Sequence, residues 1–346
     1  MENEDLLKIW FSTDIHGSNA CFRKFLKLLD VQKPMMKPNI MIIGGDITGK
    51  ELVPIRREKT YGGCRYEYID RDGNTKKISE KNLDEELEFL RDGGRYPIIC
   101  DKTEYQRLEF NPTLKDKRLD EERKKRVEEW MDLLNEKVKN HPDVQIFINC
   151  GNDDPLFVDH LLGAFLPEGK VITIKDNVKL LSLGYSNLTP WECPRDVDEQ
   201  VIRQKIAEMT EQISIDDILI FNFHCPPFNT DLDEVYEIDQ NYQRRGYKKH
   251  VGSSSIREAI EQFKPILSLH GHIHEAKFSE RIGSTKCVNP GSNYQNGILQ
   301  GAYFIISDGK IVREILVNDL FPEKAIRTPS KWACILARLL SFITKL

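Results

Sequence analysis

Short apolar runs rich in β-branched residues alternate along this 346-residue chain with segments of helical spacing, and that alternation predicts an α/β fold on buried strands. Two further observations sharpen the prediction. Several of the apolar runs end abruptly in a polar cluster of Asp, Asn or His, as strands do when they deliver side chains to an open edge. Between Asp46 and Gly151 lie about a hundred residues, far more than one crossover needs, so something is inserted into the α/β unit.

The elements follow in order. Leu6–Phe11 is a strand ending at Asp14-Ile15-His16-Gly17, and Ala20–Leu29 carries apolar residues at helical spacing. Ile40–Ile43 is a second buried strand; it empties into Gly44-Gly45-Asp46, where glycine lets the backbone approach a ligand. Within the insertion, about residues 51–125, Arg65–Ile69 and Thr75–Ile78 flank Asp72-Gly73-Asn74 and read as a hairpin, and Asn82 is placed to cap a short helix ending near Gly93. A long charged helix follows over Leu114–Val138, with Val127, Trp130, Met131, Leu134 and Val138 as its apolar stripe. Its basic residues 123–126 sit among glutamates and read as a solvated face.

Val144–Ile148, Val178–Leu183, Ile218–Phe223 and Pro265–Leu269 are further strands, Ile256–Phe263 is helical, and Ala302–Ile306 with Ile311–Leu316 forms a hairpin around Asp308-Gly309. Cys225–Gly252, rich in Pro, Asn, Asp and Tyr, reads as a long irregular loop or lid. One unit over 1–320 carrying the insertion, followed by a tail over 321–346, is the expected organisation. In the tail, Lys331, Arg338 and Lys345 recur every seven residues on one helical face, with Trp332, Ile335, Leu336, Leu339, Leu340, Phe342, Ile343 and Leu346 on the other. Such a helix is too short and too charged to span a bilayer. It is built to dock on the parent domain, to self-associate, or to lie peripherally on a membrane.

Composition narrows the classes. A hydrophobic content of 40% and a charged content of 30% exclude a disordered or membrane-embedded chain, and a net charge of -5 gives no global pull toward nucleic acid. The acidic start, Met-Glu-Asn-Glu-Asp, has neither the positive region nor the apolar stretch of a signal peptide, which predicts a cytoplasmic protein. The eight cysteines form no CxxC pair and read as reduced thiols. Cys150 and Cys225, although beside polar clusters, read as packing.

The chemistry lies in five clusters: Asp14-Ile15-His16, Gly45-Asp46, Gly151-Asn152-Asp153-Asp154, His224, and Gly271-His272-Ile273-His274. Asp14, His16, Asp46, Asn152, His224, His272 and His274 supply carboxylate, amide and imidazole without thiolate, a set suited to Mn, Fe, Zn or Ni. Seven ligands are too many for one ion, whereas two divalent metal ions sharing Asp46 account for them. A pair of ions about 3.5–4 Å apart is the usual apparatus for phosphoester hydrolysis. In Asp14-Ile15-His16 and His272-Ile273-His274, alternate residues of an extended backbone would point the same way, with the isoleucines turned to the core. Burying so many ionisable groups unpaired would cost several kcal/mol each, which argues against mere packing. His141, His160 and His250, outside the clusters, read as structural.

The ordered set resembles the calcineurin-like metallophosphoesterase superfamily, whose motifs run Asp-x-His, Gly-Asp, Gly-Asn-His-Asp/Glu, His and Gly-His-x-His. Val288-Asn289-Pro290-Gly291-Ser292, His224-Cys225-Pro226-Pro227 and Val251-Gly252-Ser253 are similar to segments of its prokaryotic, phosphodiesterase-like branch. The resemblance covers about residues 6–50 and 144–316. It implies a four-layer αββα sandwich of two mixed β-sheets with two metals at one edge. Asp14, His16 and His274 would hold the first, Asn152, His224 and His272 the second, and Asp46 would bridge them, with a bridging hydroxide attacking phosphorus in line. The pattern departs at Asp153, where the family usually has a histidine that binds phosphate or protonates the leaving group. A carboxylate beside two cations is a poor proton donor and repels an anionic substrate, which predicts a preference for diesters over monoesters. His270, just before the last motif, is a candidate substitute donor, with a buried structural role as its alternative; Asp154 reads as orienting a neighbouring ligand.

The expected partner is therefore a phosphoester substrate. A nucleotide or nucleic acid is the nearest rival class, for which Tyr61, Arg65, Tyr66, Tyr68, Tyr242, Arg244, Arg245, Tyr247, Lys248 and Lys249 offer a weak basic and aromatic track. A scaffold that binds a protein through the insertion or tail, its site decayed at Asp153, is the alternative from another class.

Overall fold

The computed structural model describes residues 6–61, 63–238 and 244–321; the amphipathic tail expected over 330–346, and Cys334 with it, lies outside the described residues. Two sheets face one another. The first runs in the order Lys310–Val317, Gly301–Ser307, Leu7–Ser12, Ile40–Gly44, Gln145–Asn149, the last three parallel. The second runs Phe278–Ile282, Thr285–Asn289, Leu267–Leu269, Ile218–Phe223, Val178–Leu183, Val171–Lys175, with its four middle strands parallel.

Strand alternation distributes the apolar side chains between three layers of core. Ile9 and Phe11 join Ile42, Leu180, Ile220, Leu267 and Phe304 between the sheets. Trp10, Met41 and Ile43 face the other way, onto Phe22 and Phe25 of the helix Asn19–Lys27 and onto Val127, Trp130, Met131 and Leu134 of the long helix Pro112–Val138. There the Phe22 and Trp130 rings stack at 4.3 Å. Behind the second sheet, Leu181, Phe221 and Phe223 pack on Ile202, Ile206 and Met209 of Glu199–Thr210 and on Ile256 and Ile260 of Ser254–Phe263. Helix, sheet, sheet, helix is the αββα sandwich. Among the described residues, no helix is long and apolar enough to cross a membrane.

The insertion contains a third sheet, ordered Thr75–Ser79, Gly63–Ile69, Glu51–Thr60, Arg95–Cys100. The hairpin and the short helix Leu83–Asp92 stand where the turn and cap signals put them, although Asn82 makes no side-chain capping bond. The strands Glu51–Thr60 and Arg95–Cys100 give no clear signal in the sequence. Pro54 and Pro97 sit inside them and charged residues crowd 56–59, which hides the period-two pattern. The long helix runs unbroken through residue 125, with Leu119 in the insertion's core and Val127 in the main one.

Three expectations need correction. The basic cluster of that helix is not wholly solvated. Arg126 is buried against Tyr96, its guanidinium donating to the carbonyls of Gly17 at 2.7 Å and Arg95 at 2.9 Å, and Arg123 donates to the Gly49 carbonyl at 2.8 Å. Its turn toward the domain, not its composition, decides this. Nor is 225–252 simply irregular, because it contains an antiparallel ribbon of Glu234–Ile238 and Arg244–His250. The expected stacking track also breaks up: Tyr66 and Tyr68 belong to the insertion's core. Tyr242 lies outside the described residues, and of Arg244, Arg245 and Tyr247 only the strand is described.

Candidate metal centre

Parallel strands end on the same side of a sheet, and ligands gather outside their carboxyl ends. Leu7–Ser12 leads to Asp14, Ile40–Gly44 to Asp46, Gln145–Asn149 to Asn152, Ile218–Phe223 to His224 and Leu267–Leu269 to His272. Backbone bonds carry the pairing beyond the strands, from Asp14 to Gly45 and from His16 to Asp46, both at 2.9 Å, and from Gly271 to His224 at 2.9 Å.

The chain does not stay extended through the ligand clusters, so the expected alternation is not what aligns them. Asp14, His16, Asp46 and His272 have φ of 53°, 39°, 48° and 68°, left-handed conformations that cost a non-glycine residue free energy and gather at functional sites. The intervening Ile15 and Ile273 are nevertheless buried. Close approach needs glycine at three places: a Cβ on Gly45 would stand 2.3 Å from His224 Nδ1, one on Gly151 2.2 Å from Asp46 Oδ1, and one on Gly271 2.3 Å from Asp14 Oδ2.

These loops bring the seven side chains together. His16 Nε2 lies 3.0 Å from His274 Nε2, 3.6 Å from Asp46 Oδ2 and 3.9 Å from Asp14 Oδ1. His224 Nε2 faces the other Asp46 oxygen, Oδ1, at 3.4 Å, and Asp14 Oδ1 at 4.0 Å, while His274 Nε2 is 3.3 Å from the same Asp14 oxygen. His272 Nδ1 meets Asn152 Oδ1 at 2.9 Å, and the His224 and His272 rings approach edge to face at 5.6 Å. Among the described residues, three trios of ligand atoms each lie within 4.8 Å of one another: Asp14, His16 and His274; Asp14, Asp46 and His224; and His16, Asp46 and Asp153.

Burial and mutual proximity shift the ionisation of these groups in both directions. Burial, reinforced by Asp153 and Asp14 and opposed by His224, pushes the Asp46 carboxyl up to about 7. Burial, with His274 and Lys50, pulls His16 down to about 3; burial, with His224, pulls His272 down to about 4. For His224 the neighbouring Asp46 and Asp14 outweigh burial and raise it to about 9. Burial also opposes ionisation of Asp14, but His274, His224 and His16 hold it well below the carboxylate range. A divalent cation fits the residues present on a separate observation. The Nε2 atoms of His16 and His274 lie 3.0 Å apart, and His224 Nε2 is buried with no hydrogen-bond partner among the described residues. The facing Nε2 atoms of His16 and His274 suit a shared divalent ion.

The remaining candidates separate. Asp154 is buried and holds the Asp46 loop to the Asn152 loop: it accepts from the amides of Ile47 (2.9 Å), Thr48 (2.8 Å) and Gly151 (2.8 Å), and from the Thr48 hydroxyl (2.7 Å). Asp153 lies at the open side, its amide donating to Asp46 Oδ1 at 3.0 Å. Its carboxylate is ion-paired to Lys50 and accepts from the Cys193 thiol at 2.9 Å; these partners and His16 outweigh burial and hold it ionised, well below the usual range. His270 faces the main chain at the end of Ile218–Phe223. Its ring is buried with Nδ1 against the carbonyls of Phe223 (2.8 Å) and Cys225 (3.0 Å), and burial lowers it to about 4. Of the other histidines, His250 is held by Asp233 at 2.8 Å.

Several neighbours escaped the sequence reading. Lys50 had a signal, since it follows Asp46 within the run Gly-Asp-Ile-Thr-Gly-Lys. Asp196, which orients the Asn152 amide at 3.0 Å, and Tyr294, whose ring lies 4.7 Å from that of His16, had none.

An αββα sandwich with a carboxylate and imidazole cluster outside its parallel strand ends is the class that fold and site define. No family model matches the chain. An uncharacterized protein of Methanocaldococcus jannaschii is 31% identical over 144 residues, 41% of this chain; the match spans 60% of that relative's length. Among solved structures, the protein TT1561 of Thermus thermophilus aligns over 90% of this chain and 99% of its own at 12% identity with a TM-score of 0.48. The Thermus thermophilus sulfate thiohydrolase SoxB aligns over 90% and 56% at 11% identity and 0.38, and the NAD nucleotidase of Haemophilus influenzae over 91% and 50% at 10% and 0.30. At such scores a likeness of backbones says nothing of activity.

Proposed function

We propose that this protein is a metal-dependent phosphoesterase of the calcineurin-like type that hydrolyses diesters in preference to monoesters. One observation carries the reading: the two oxygens of Asp46 face different histidines, Oδ2 toward His16 at 3.6 Å and Oδ1 toward His224 at 3.4 Å. A carboxylate so placed divides the cluster into two ligand sets. Asp14, His16 and His274 would hold one divalent ion and Asn152, His224 and His272 another, with Asp46 common to both. Ions bound there would supply activation of a water near neutral pH and neutralisation of charge on the phosphoryl oxygens.

The chain's own residues do the positioning. Asp154 fixes the Asp46 loop, Thr13 and the His272 amide fix Asp14 through bonds of 2.6 Å and 3.1 Å, and Asp196 orients Asn152. Asp153, held ionised, cannot donate a proton, and by cancelling the charge of Lys50 it favours a substrate carrying one negative charge over one carrying two.

The test compares bis-p-nitrophenyl phosphate with p-nitrophenyl phosphate on metal-stripped protein resupplied with Mn, Fe, Ni, Zn or Mg. Metal-dependent turnover of the diester, lost in Asp46→Asn, is expected. Comparable rates on the two substrates would overturn the diester preference, and no turnover of either would count against the phosphoesterase reading.

A further inference from the structure

Lys50 leaves the main sheet on the loop that Asp154 clamps, and its ammonium is ion-paired to Asp153 Oδ2. Surface pairs of this kind usually contribute little. This one differs in its carboxylate, whose side chain is only 12% exposed while that of Lys50 is 52% exposed. Asp153 is also immobilised at two further points, by the Cys193 thiol on Oδ1 and by its own amide on Asp46 Oδ1. The lysine is therefore steered by a fixed anion while its outer side stays open. Ligand atoms of His16, Asp46 and Asp153 lie within 4.8 Å of one another, so the pair sets the ammonium at the edge of the ligand cluster.

We infer that Lys50 is the phosphate-binding cation of this site and that Asp153 positions it, an inference that rests on the phosphoesterase reading. An ammonium carries three N–H donors, and one bond to Asp153 leaves donors for a phosphoryl oxygen approaching the cluster. A lysine serves such a ligand as a point charge at the end of a flexible stem, so a fixed carboxylate beside it reduces the freedom lost on binding. The pair is net neutral. It offers hydrogen bonds without additional positive charge, which suits a singly charged diester, and neutralising Asp153 would leave the lysine's full charge to a doubly charged monoester.

The experiment measures inorganic phosphate binding by calorimetry to metal-loaded wild type, Lys50→Met, Lys50→Arg and Asp153→Asn, with the metal content of each and steady-state kinetics on both nitrophenyl esters. Lys50→Met is expected to weaken phosphate binding about tenfold, the worth of one hydrogen bond to a charged group. Metal content should be unchanged and KM should rise more than kcat falls. Lys50→Arg should restore most of the affinity, and Asp153→Asn, whose amide oxygen still accepts from the ammonium while the negative charge is gone, should tighten phosphate binding and raise the monoester rate relative to the diester. Wild-type protein that binds no phosphate, Lys50→Met that binds it as well as wild type does, or Lys50→Met that loses its metal would each overturn the inference. If wild type turned over neither ester, the phosphoesterase reading would fall, and calorimetry would still decide the role of Lys50.

Discussion

Asp154 takes both donors of Thr48, the amide at 2.8 Å and the hydroxyl at 2.7 Å, on a single carboxylate oxygen, and gives its other oxygen to Ile47 and Gly151. Two loops more than a hundred residues apart in sequence are thereby fastened beneath the candidate ligands they carry. Removing the carboxylate would leave buried donors unpaired, each costing about 1–3 kcal/mol. Asp154→Ala is expected to lower stability by about 3 kcal/mol or more in urea titrations, and Asp154→Asn by less, since one oxygen remains. A loss under about 0.5 kcal/mol for Asp154→Ala would show that water replaces the clamp.

Divalent metal should stabilise the fold. A ligand at a hundredfold its Kd adds about 2.7 kcal/mol. Mn or Zn added to stripped protein should therefore raise Tm measurably, and the rise should shrink in Asp46→Asn and in His224→Ala. An equal rise in all three proteins would place the bound metal elsewhere.

Gly151 has no room for a side chain. A Cβ there would press on Asp46 Oδ1 at 2.2 Å and on the Asp46 amide at 2.4 Å, both fixed parts of the site. Gly151→Ala should therefore abolish the metal-dependent rise in Tm while leaving the far-UV circular dichroism of a folded chain.

His270 makes acid stability testable. Its folded pKa, lowered by burial from 6.5 to about 4, means that the unfolded chain takes up a proton the folded one refuses. The stability of the neutral ring is complete above pH 6.5 and is lost as pH falls toward about 4, an effect of about 3 kcal/mol across that window. His270→Asn, which keeps a donor for the two carbonyls, should flatten denaturation midpoints between pH 6.5 and 4 relative to wild type. Parallel pH curves for the two proteins would refute this.

Arg126 joins the long helix to the loop after His16. Arg126→Met is expected to cost about 2 kcal/mol, because the carbonyls of Gly17 and Arg95 lose a charged donor, and Arg126→Lys should recover little, since one ammonium does not reproduce the guanidinium's two-point fork. Thermal melts of the three proteins check both statements.

Much of this protein is written locally. The strands Val178–Leu183 and Ile218–Phe223 end where their apolar runs end, because a buried strand needs continuous apolar side chains and stops where they do. The polar side chains that gather at the strand ends were equally legible, since Asp, His and Asn at the ends of such runs have little use in packing. Tertiary structure decided what the short-range pattern does not encode. The strands containing Pro54 and Pro97 form because a neighbouring strand and a core receive them. The left-handed backbone at Asp14, His16, Asp46 and His272 is imposed by the bonds between loops, where sequence periodicity suggested extended chain. The fates of Arg126, turned inward, and of Asp153, held between Lys50 and Cys193, depend on groups brought near only by folding. Residue type and spacing determined which carboxylates and imidazoles stand at the strand ends; which oxygen faces which nitrogen was settled by long-range packing.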